Sequence, residues 1–427
     1  MPYISPEDIS LSGIMQSGDF ISNLMMIEIR ETAKLHEVPA FHFEAGGGSI
    51  GSSAAIHKGI IYFGAQDNTL YALTKDGQLL WKFHTNGGVV SSPKILNEKI
   101  VFGCYDHSVY ALNLDGKLLW KFDTEGKIIS NPLIAEDTIF LGSEDQRLYA
   151  ISQEGRKLWD FATEGKIASN ASFSDGLIFF GSFDGNLYAL TTEGRLEWKL
   201  LAKGPVFSTQ SAKGKVYASS ADHNLYAASI NGTLAWLFPT KDIIGFRNPV
   251  YADGKIYAGS DDRNMYCIDF SGSLGWRFAA QERVVAPPLV HEGVAYFGDV
   301  GNNFFAVKEG RLLWKAETQG PNVVLPAILG DRLFFGSWDC NFYCFNLRGE
   351  KLWQFSTSTG TPTKILPPGE PVIQYSRPRL GSWKTEDLDL YRPTRQQGID
   401  FEKSLYGSFK TQYVESSKEY VRKRKGY

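Results

Sequence analysis

Eight tryptophans recur along this chain at an almost constant step, and this repeat constrains the fold more than any other feature. They stand 38 to 40 residues apart, at Trp81, Trp120, Trp159, Trp198, Trp236, Trp276, Trp314 and Trp353. A glycine precedes each of them by four residues, at Gly77, Gly116, Gly155, Gly194, Gly232, Gly272, Gly310 and Gly349. A fixed period in this range is typical of repeat architectures.

A second shared block lies before each tryptophan and predicts a β-hairpin. Residues 61–73 and 178–190 both show two apolar, aromatic-rich runs around a short polar turn. An aspartate recurs in that turn, at Asp67, Asp106, Asp145, Asp184, Asp222, Asp262 and Asp339, and Gly301 replaces it in the seventh repeat. Since Asp accepts backbone N–H bonds in tight turns, we interpret these carboxylates as structural rather than as a metal ring.

Each repeat therefore predicts four strands: an opening strand, the hairpin pair and a last strand that carries the tryptophan. Eight such units predict an all-β, eight-bladed propeller over residues 41–355. Phe41 to Phe43 stand where Trp-Lys-Phe stands later, 312 residues before Trp353. Either this segment or Trp353 to Phe355 supplies the strand that closes the ring, and the sequence leaves both open.

The repeat resembles that of the PQQ-like, or quinoprotein-type, β-propeller superfamily. The resemblance rests on the Gly-x-x-x-Trp step, the Leu-Tyr-Ala-Leu strand at residues 70–73 and 187–190, and the count of eight, and it covers about three quarters of the chain. It implies a tryptophan-docking motif in which all eight tryptophans pack between blades and are structural. The superfamily includes quinone dehydrogenases and non-enzymatic binding propellers such as the bacterial outer-membrane assembly lipoprotein, so the fold alone does not give the function.

Two departures place the chain closer to the assembly-factor-like propellers than to the dehydrogenases. The segment from Ala111 to Gly116 is one residue shorter than the dehydrogenase motif. Those enzymes commonly hold the quinone against an adjacent cysteine pair, whereas the cysteines here are isolated, at Cys104, Cys267, Cys340 and Cys344. We therefore expect no PQQ and no other cofactor.

The opening strands should line a central channel, where polar side chains form a candidate ligand site. Its members are Asn131, Asn170, Thr209, Gln210, Arg247 and Asn248. Amides and hydroxyls could orient a polar ligand, and Arg247, which has no counterpart in the other repeats, would supply a positive charge. The alternative is that these side chains bond their own backbone and channel water.

No catalytic set or metal site is recognised. His107 and His223 follow the turn aspartate in distant blades, so a shared metal is not expected. Three aromatic residues precede the turn aspartate, Tyr105, Phe183 and Trp338, and form a candidate partner-binding rim. Packing beneath neighbouring loops is the equal alternative.

Both ends depart from the repeat. Residues 1–40 contain a capping box at Ser5 to Asp8 and predict a helix with an apolar face. Residues 356–427 begin as an extended linker and carry 13 Lys or Arg against 8 Asp or Glu, a net charge of +5. They end in Arg422 to Lys425, which we interpret as a solvated end or part of a protein-docking tail; nucleic-acid contact through four basic residues would be weak and salt-sensitive.

Composition limits the remaining choices. The 427 residues carry 44 Lys or Arg and 47 Asp or Glu, which argues against global attraction to nucleic acid. No signal-peptide pattern or membrane-spanning apolar run is recognised, and the cysteines lack the spacing of a disulfide framework. We expect a cytoplasmic scaffold without a membrane partner that mediates protein–protein interaction or complex assembly. The alternative is a small-ligand-binding or divergent quinoprotein-like enzyme that uses the polar channel.

Overall fold

The computed structural model describes residues 48–244, 249–358 and 361–364, which contain 33 β-strands and no helix. The strands form eight antiparallel sheets, and each sheet takes its strands in chain order. The eight sheets are the blades of a β-propeller, which confirms the predicted fold class. The helix predicted within residues 1–40 and the tail beyond residue 364 lie outside the described residues.

The first four blades each contain four strands, numbered from the centre outward. Blade 1 has β1 (Ala55–His57), β2 (Ile60–Ala65), β3 (Thr69–Thr74) and β4 (Leu79–His84). Blade 2 has β5 (Lys94–Leu96), β6 (Lys99–Gly103), β7 (Ser108–Asn113) and β8 (Leu118–Asp123). Blade 3 has β9 (Leu133–Ala135), β10 (Thr138–Gly142), β11 (Arg147–Ile151) and β12 (Lys157–Ala162). Blade 4 has β13 (Ser172–Ser174), β14 (Leu177–Gly181), β15 (Asn186–Thr191) and β16 (Leu196–Leu201).

The last four blades repeat this order, and the eighth adds a strand. Blade 5 has β17 (Val206–Ala212), β18 (Lys215–Ser220), β19 (Asn224–Ser229) and β20 (Leu234–Pro239). Blade 6 has β21 (Val250–Ala252), β22 (Lys255–Gly259), β23 (Asn264–Asp269) and β24 (Leu274–Ala279). Blade 7 has β25 (Leu289–His291), β26 (Val294–Gly298), β27 (Asn303–Lys308) and β28 (Arg311–Glu317). Blade 8 has β29 (Ala327–Leu329), β30 (Arg332–Gly336), β31 (Asn341–Asn346), β32 (Lys351–Ser356) and a fifth strand, β33 (Thr361–Lys364).

The local sequence explains why each blade folds as it does. In blade 1 the turn between β1 and β2 is Lys58-Gly59, with φ of 48° and 78°. Two positive φ angles give a type I′ turn, whose twist matches that of the flanking strands. The middle strands β2 and β3 are almost wholly buried. They are sandwiched between neighbouring blades, and they accordingly read as continuous apolar runs rather than as alternating ones.

The hydrophobic core consists of layers between blades rather than of one central mass. Tyr62 and Leu70 of blade 1 pack with Phe102 and Tyr110 of blade 2. The same arrangement joins blade 8 to blade 1, where the rings of Phe63 and Phe342 stack with their centroids 4.2 Å apart. Each blade therefore depends on its neighbours for burial.

Among the described strands, the ring closes without exchange of a strand between the two ends of the chain. Trp353 to Phe355 belong to β32, the outer strand of blade 8, so every blade is one continuous stretch of chain. At the closure the backbone N–H of Ile50 donates to the carbonyl of Ser337 at 3.1 Å. Within the chain the N–H of Val89 makes the equivalent bond to Ala65 at 3.0 Å. Phe41 to Phe43, the other candidate for the closing strand, lie outside the described residues.

Candidate functional site

A chain of hydrogen bonds links successive blades around the central axis. In the opening segments of blades 1 to 4, one side chain accepts the backbone N–H of the equivalent residue in the preceding blade. The N–H groups of Leu325 and Ser53 donate to Ser53 Oγ and Ser92 Oγ, both at 2.9 Å, and those of Ser92 and Asn131 donate to Asn131 Oδ1 and Asn170 Oδ1, both at 2.7 Å. We call Ser53, Ser92, Asn131 and Asn170 the inner ring. It satisfies backbone groups that face the channel.

The structure separates the six residues predicted to bind a channel ligand. Asn131 and Asn170 belong to the inner ring and line a common cavity. Thr209 and Gln210 are not among the residues that line it: Thr209 Oγ1 bonds Ser172 Oγ at 3.0 Å and the carbonyl of Phe179 at 2.9 Å, and Gln210 Nε2 donates to the carbonyl of Ser211 at 3.1 Å. Arg247 and Asn248 lie outside the described residues.

The cavity lies on the propeller axis and has a volume of about 260 Å³. Residues of six blades line it, which only a position on the axis allows. They are Ser53, Ala54, Ala55, Ile56, Ser92, Pro93, Lys94, Ile95, Asn131, Asn170, Pro287 and Leu325. One wall is therefore polar, and the wall formed by Pro287 and Leu325 is apolar.

Lys94 is the only charged residue among the described residues that line the cavity. Its side chain is accessible to channel water, yet the surrounding blades enclose it, and this burial lowers the pKa of its ammonium group below the usual lysine value. Lys94 was not among the residues predicted to bind a channel ligand. The signal was present, because the equivalent positions hold only small or apolar residues: Ala55, Leu133, Ser172, Ser211, Val250, Leu289 and Ala327.

The lining of the cavity does not fit the calcium-assisted quinone site of the dehydrogenases. The described residues that line it include no carboxylate and no cysteine. Calcium requires several oxygen ligands, usually with carboxylates among them. The group that the superfamily resemblance suggests therefore has no matching set of ligands in this cavity.

The turn aspartates accept hydrogen bonds from their own blade and from the loop that precedes it. In blade 2, Asp106 Oδ2 accepts the hydroxyl of Tyr110 at 2.6 Å and the N–H of Asn86, from the loop that leaves blade 1, at 3.0 Å. Burial, followed by this bond to a carboxylate, raises the pKa of Tyr110. In blade 7, where Gly301 replaces the aspartate, Asp299 accepts the N–H groups of Gly301 and Asn303 at 2.9 and 2.8 Å.

Each repeat tryptophan lies against the glycine of the following motif in the next blade. A methyl group added at Gly116 would approach the ring of Trp81 to 2.7 Å, so only glycine allows this contact. Seven of the eight indole N–H groups donate to a backbone carbonyl of the neighbouring blade, at Leu114, Gln153, Thr192, Ile230, Phe270, Leu347 and Lys75. The bond from Trp353 to Lys75 spans the closure between blades 8 and 1.

The three aromatic residues of the predicted rim are half-buried. Lys127 Nζ lies 5.2 Å from the centroid of the Tyr105 ring. The ring of Phe183 contacts that of Phe207 edge-on, with 5.7 Å between centroids. Trp338 packs on the apolar cluster between blades 7 and 8. All three thus contact neighbouring segments and keep only part of their surface accessible.

The most exposed large apolar side chains lie on the outer strands. Leu119 and Leu313 are 47% and 54% exposed, and they directly precede the repeat tryptophans. We call this set the leucine belt: Leu80, Leu118, Leu119, Leu158, Leu196, Leu234, Leu237, Leu274, Leu312 and Leu313. It runs over the first seven blades. In blade 8 the equivalent Leu352 is half-buried, and the outer strand pairs with β33.

The described residues contain neither a membrane-spanning helix nor a metal site. No helix in these ranges is long and apolar enough to cross a membrane. No group of three or more His, Cys, Asp or Glu side chains in the described ranges is arranged to hold a metal ion. His107 and His223 occupy left-handed turn positions in blades 2 and 5, with φ of 67° and 69°.

Eight blades with this repeat, seven of four strands and one of five, define the chain as an eight-bladed PQQ-like propeller. The chain belongs to the family described as outer membrane protein assembly factor BamB, whose model matches residues 33–151, 105–172, 144–242 and 231–364. These matches cover more than half of the chain and confirm the predicted resemblance.

Solved structures agree on the architecture. The computationally designed protein Ika8 matches with a TM-score of 0.64 and 16% identity, over 71% of this chain and 98% of that one. BamB from Moraxella catarrhalis matches with a TM-score of 0.59 and 16% identity, over 67% of this chain and 91% of that one. At such identities the likeness concerns the fold alone. No curated protein sequence matches significantly.

Proposed function

We propose that this chain is a non-enzymatic propeller scaffold that holds protein partners on its circumference. The observation that carries the proposal is the leucine belt. Exposed apolar side chains that recur on the surface of a folded domain are candidates for interaction sites. One or two leucines are exposed on the outer strand of each of seven consecutive blades, so the same apolar feature is repeated around the circumference.

The backbone beneath the belt is also open to pairing. Among the described strands, none lies beyond the outer strands of blades 1 to 7. An unpaired strand edge is a template for another chain. Blade 8 supports this mode of binding, because β33 adds to its outer edge with Trp353 opposite Lys364 and Ser356 opposite Thr361. We propose that partners add a strand to other blades in the same way.

The family supports a role in holding proteins together, since its description names an assembly factor. The proposal also includes the rim residues Tyr105, Phe183 and Trp338, and the basic tail within residues 356–427, as secondary contacts. We do not extend it to quinoprotein-like catalysis, because the cavity offers no carboxylate and no cysteine. Burial raises the pKa of the Cys104 and Cys344 thiols to about 12, which makes both poor nucleophiles at neutral pH.

We place the scaffold in the cytoplasm as part of the same proposal. No disulfide joins the cysteines of the described residues, as is usual in a reducing compartment. The description of the family names the outer membrane, so the compartment needs its own test. Fractionation of the native host, with the protein detected by antibody, should place it in the cytoplasmic fraction, and recovery with the envelope would contradict this part of the proposal.

Site-specific photo-crosslinking in the native host tests the binding surface. A photoreactive benzoylphenylalanine replaces Leu119, Leu158 or Leu313 in the full-length chain, and partners that co-purify in stoichiometric amounts are identified. We expect crosslinks to the same partner from at least one belt position. A second preparation that ends at Lys364, and so keeps β33, shows what the rest of the tail contributes.

Exposed residues away from the belt serve as matched controls. Lys213 and Glu136 lie in turns between first and second strands and are exposed. Crosslinks that arise only from these positions, or only from Trp338, would place the partner elsewhere and contradict the belt as the binding surface. A chain that co-purifies with no stoichiometric partner would contradict the scaffold itself.

A further inference from the structure

Three members of the inner ring, Ser53, Ser92 and Asn131, present hydrogen-bond donors and few acceptors to the cavity. Ser53 Oγ, Ser92 Oγ, Asn131 Oδ1 and Asn170 Oδ1 each accept a backbone N–H from the preceding blade. In Ser53, Ser92 and Asn131, these bonds use acceptor capacity and leave hydrogen-bond donors unused. A serine or asparagine whose side-chain oxygen accepts a backbone N–H still has its own O–H or N–H groups as donors.

Asn131 shows this division most clearly. Its Oδ1 accepts the N–H of Ser92 at 2.7 Å, which fixes the orientation of the amide because only the oxygen can accept. Its Nδ2 donates to no described residue. The hydroxyls of Ser53 and Ser92 accept a bond and donate to no described acceptor.

Lys94 adds a positive charge to this set of donors. Its ammonium group makes no ion pair or hydrogen bond with the described residues, and no described residue that lines the cavity is acidic. The lowered pKa reflects the cost of enclosing an ammonium group without a counter-charge. An anion in the cavity would supply that charge and accept from Asn131 Nδ2 and the serine hydroxyls.

The cavity size and its apolar wall limit what such an anion can be. About 260 Å³ lies below the usual range of pockets for drug-sized ligands, and it suits a compact molecule. Pro287 and Leu325 face the polar wall and offer only apolar contact. We propose that this cavity binds a small organic anion or phosphate through Lys94, Asn131 and the inner-ring serines. This site does not depend on the scaffold function of the circumference.

Titration calorimetry on the full-length protein tests the site, with sodium phosphate and sodium malonate as separate probes at constant ionic strength. We expect saturable binding of one molecule of at least one probe per chain. Phosphate and malonate distinguish a phosphate site from a carboxylate site. Lys94→Met should weaken binding by about tenfold or more, because a hydrogen bond to a charged group is lost.

Two further variants keep the test interpretable. Asn131→Asp retains the oxygen that accepts from Ser92 but replaces the amide donor by a carboxylate, so it should abolish anion binding while the protein stays folded. Lys255→Met removes the same charge from an exposed position outside the cavity and should leave binding unchanged. Equal weakening by Lys94→Met and Lys255→Met would show only a general charge effect and would overturn the proposal.

Chemical labelling gives the position directly. Acetylation of Lys94 by acetic anhydride, followed by mass spectrometry, should slow down when the bound probe is present, whereas acetylation of Lys255 should not. Absence of saturable binding of both probes at millimolar concentration, or unchanged labelling of Lys94 at saturation, would overturn the assignment.

Discussion

The inner and outer strands of the same blades contact their neighbours in different ways. At the centre, the inner ring uses side-chain oxygens to satisfy the backbone of the preceding blade, as in the 2.7 Å bond from Ser92 to Asn131. At the circumference, the tryptophans join neighbouring blades, while leucines and strand edges stay exposed. The centre therefore contributes polar bonds between blades, whereas the circumference combines the tryptophan contacts with exposed apolar surface.

The largest effect should come from the outer joint between blades. In Gly116→Ala, the added methyl group meets the ring of Trp81 at 2.7 Å and the residue must hold a φ of +80°. We expect a loss of roughly 3 kcal/mol or more in the free energy of unfolding, from backbone strain combined with displacement of a buried aromatic ring. Urea denaturation measures it.

Gly59→Ala is the matched control for that substitution. Its φ is +78°, and nothing lies within 4 Å of the added methyl group. It should cost only about 1 kcal/mol, the strain of a left-handed residue. Equal losses at Gly59 and Gly116 would mean that the contact between tryptophan and glycine contributes little to the outer joint.

A smaller loss should follow from breaking the inner joint. Asn131→Leu removes the acceptor of the Ser92 N–H and should lower the free energy of unfolding by about 1 to 3 kcal/mol, since a buried donor loses its partner. Asn131→Asp keeps an oxygen at that position and should lose clearly less. The same loss in both variants, measured by urea denaturation, would argue that the bond is not what holds the inner strands together.

A still smaller difference in the free energy of unfolding should separate the outer strand of blade 8, which β33 covers, from the uncovered outer strand of blade 2. Leu352→Gln in blade 8 removes a half-buried side chain that packs on the core and should cost about 1 kcal/mol. Leu119→Gln at the same repeat position in blade 2 should stay within about 0.5 kcal/mol. Thermal unfolding of the two variants side by side decides this, and an equal cost would mean that exposure at the circumference does not differ between these blades.

The pH dependence of Lys94 gives the finest test of the centre. Its folded-state pKa is lowered by burial, so between that value and the ordinary lysine pKa of about 10.4 the unfolded chain binds more protons. Its unfavourable contribution is thus present at neutral pH and fades as pH rises toward 10. The stability of the wild type relative to Lys94→Met should increase over this range, measured by urea denaturation. A constant or decreasing difference contradicts an enclosed ammonium group.

The repeat in the sequence was enough to predict the fold and the number of blades. The spacing of Trp81 to Trp353 predicted eight blades, because each tryptophan occupies the same place in a 39-residue unit. Departures from the repeat were harder to interpret. Lys94 is one charge at a position that is small or apolar elsewhere, and its importance emerges only when six blades meet on an axis. β33 falls within a segment that was interpreted as an extended linker, and pairing with β32 depends on tertiary proximity that composition does not encode.

The closure between blades 8 and 1 repeats the bonds of the other interfaces, but the chain does not cross it. The indole N–H of Trp353 donates to the carbonyl of Lys75 across a separation of 278 residues, whereas the indole N–H of Trp81 donates to the carbonyl of Leu114 across 33. Forming a contact over a loop about eightfold longer costs about 2 kcal/mol more in chain entropy. Under mechanical tension on the circumference, the interface between blades 8 and 1 should separate first. The ring would then open at this point while every blade stays folded.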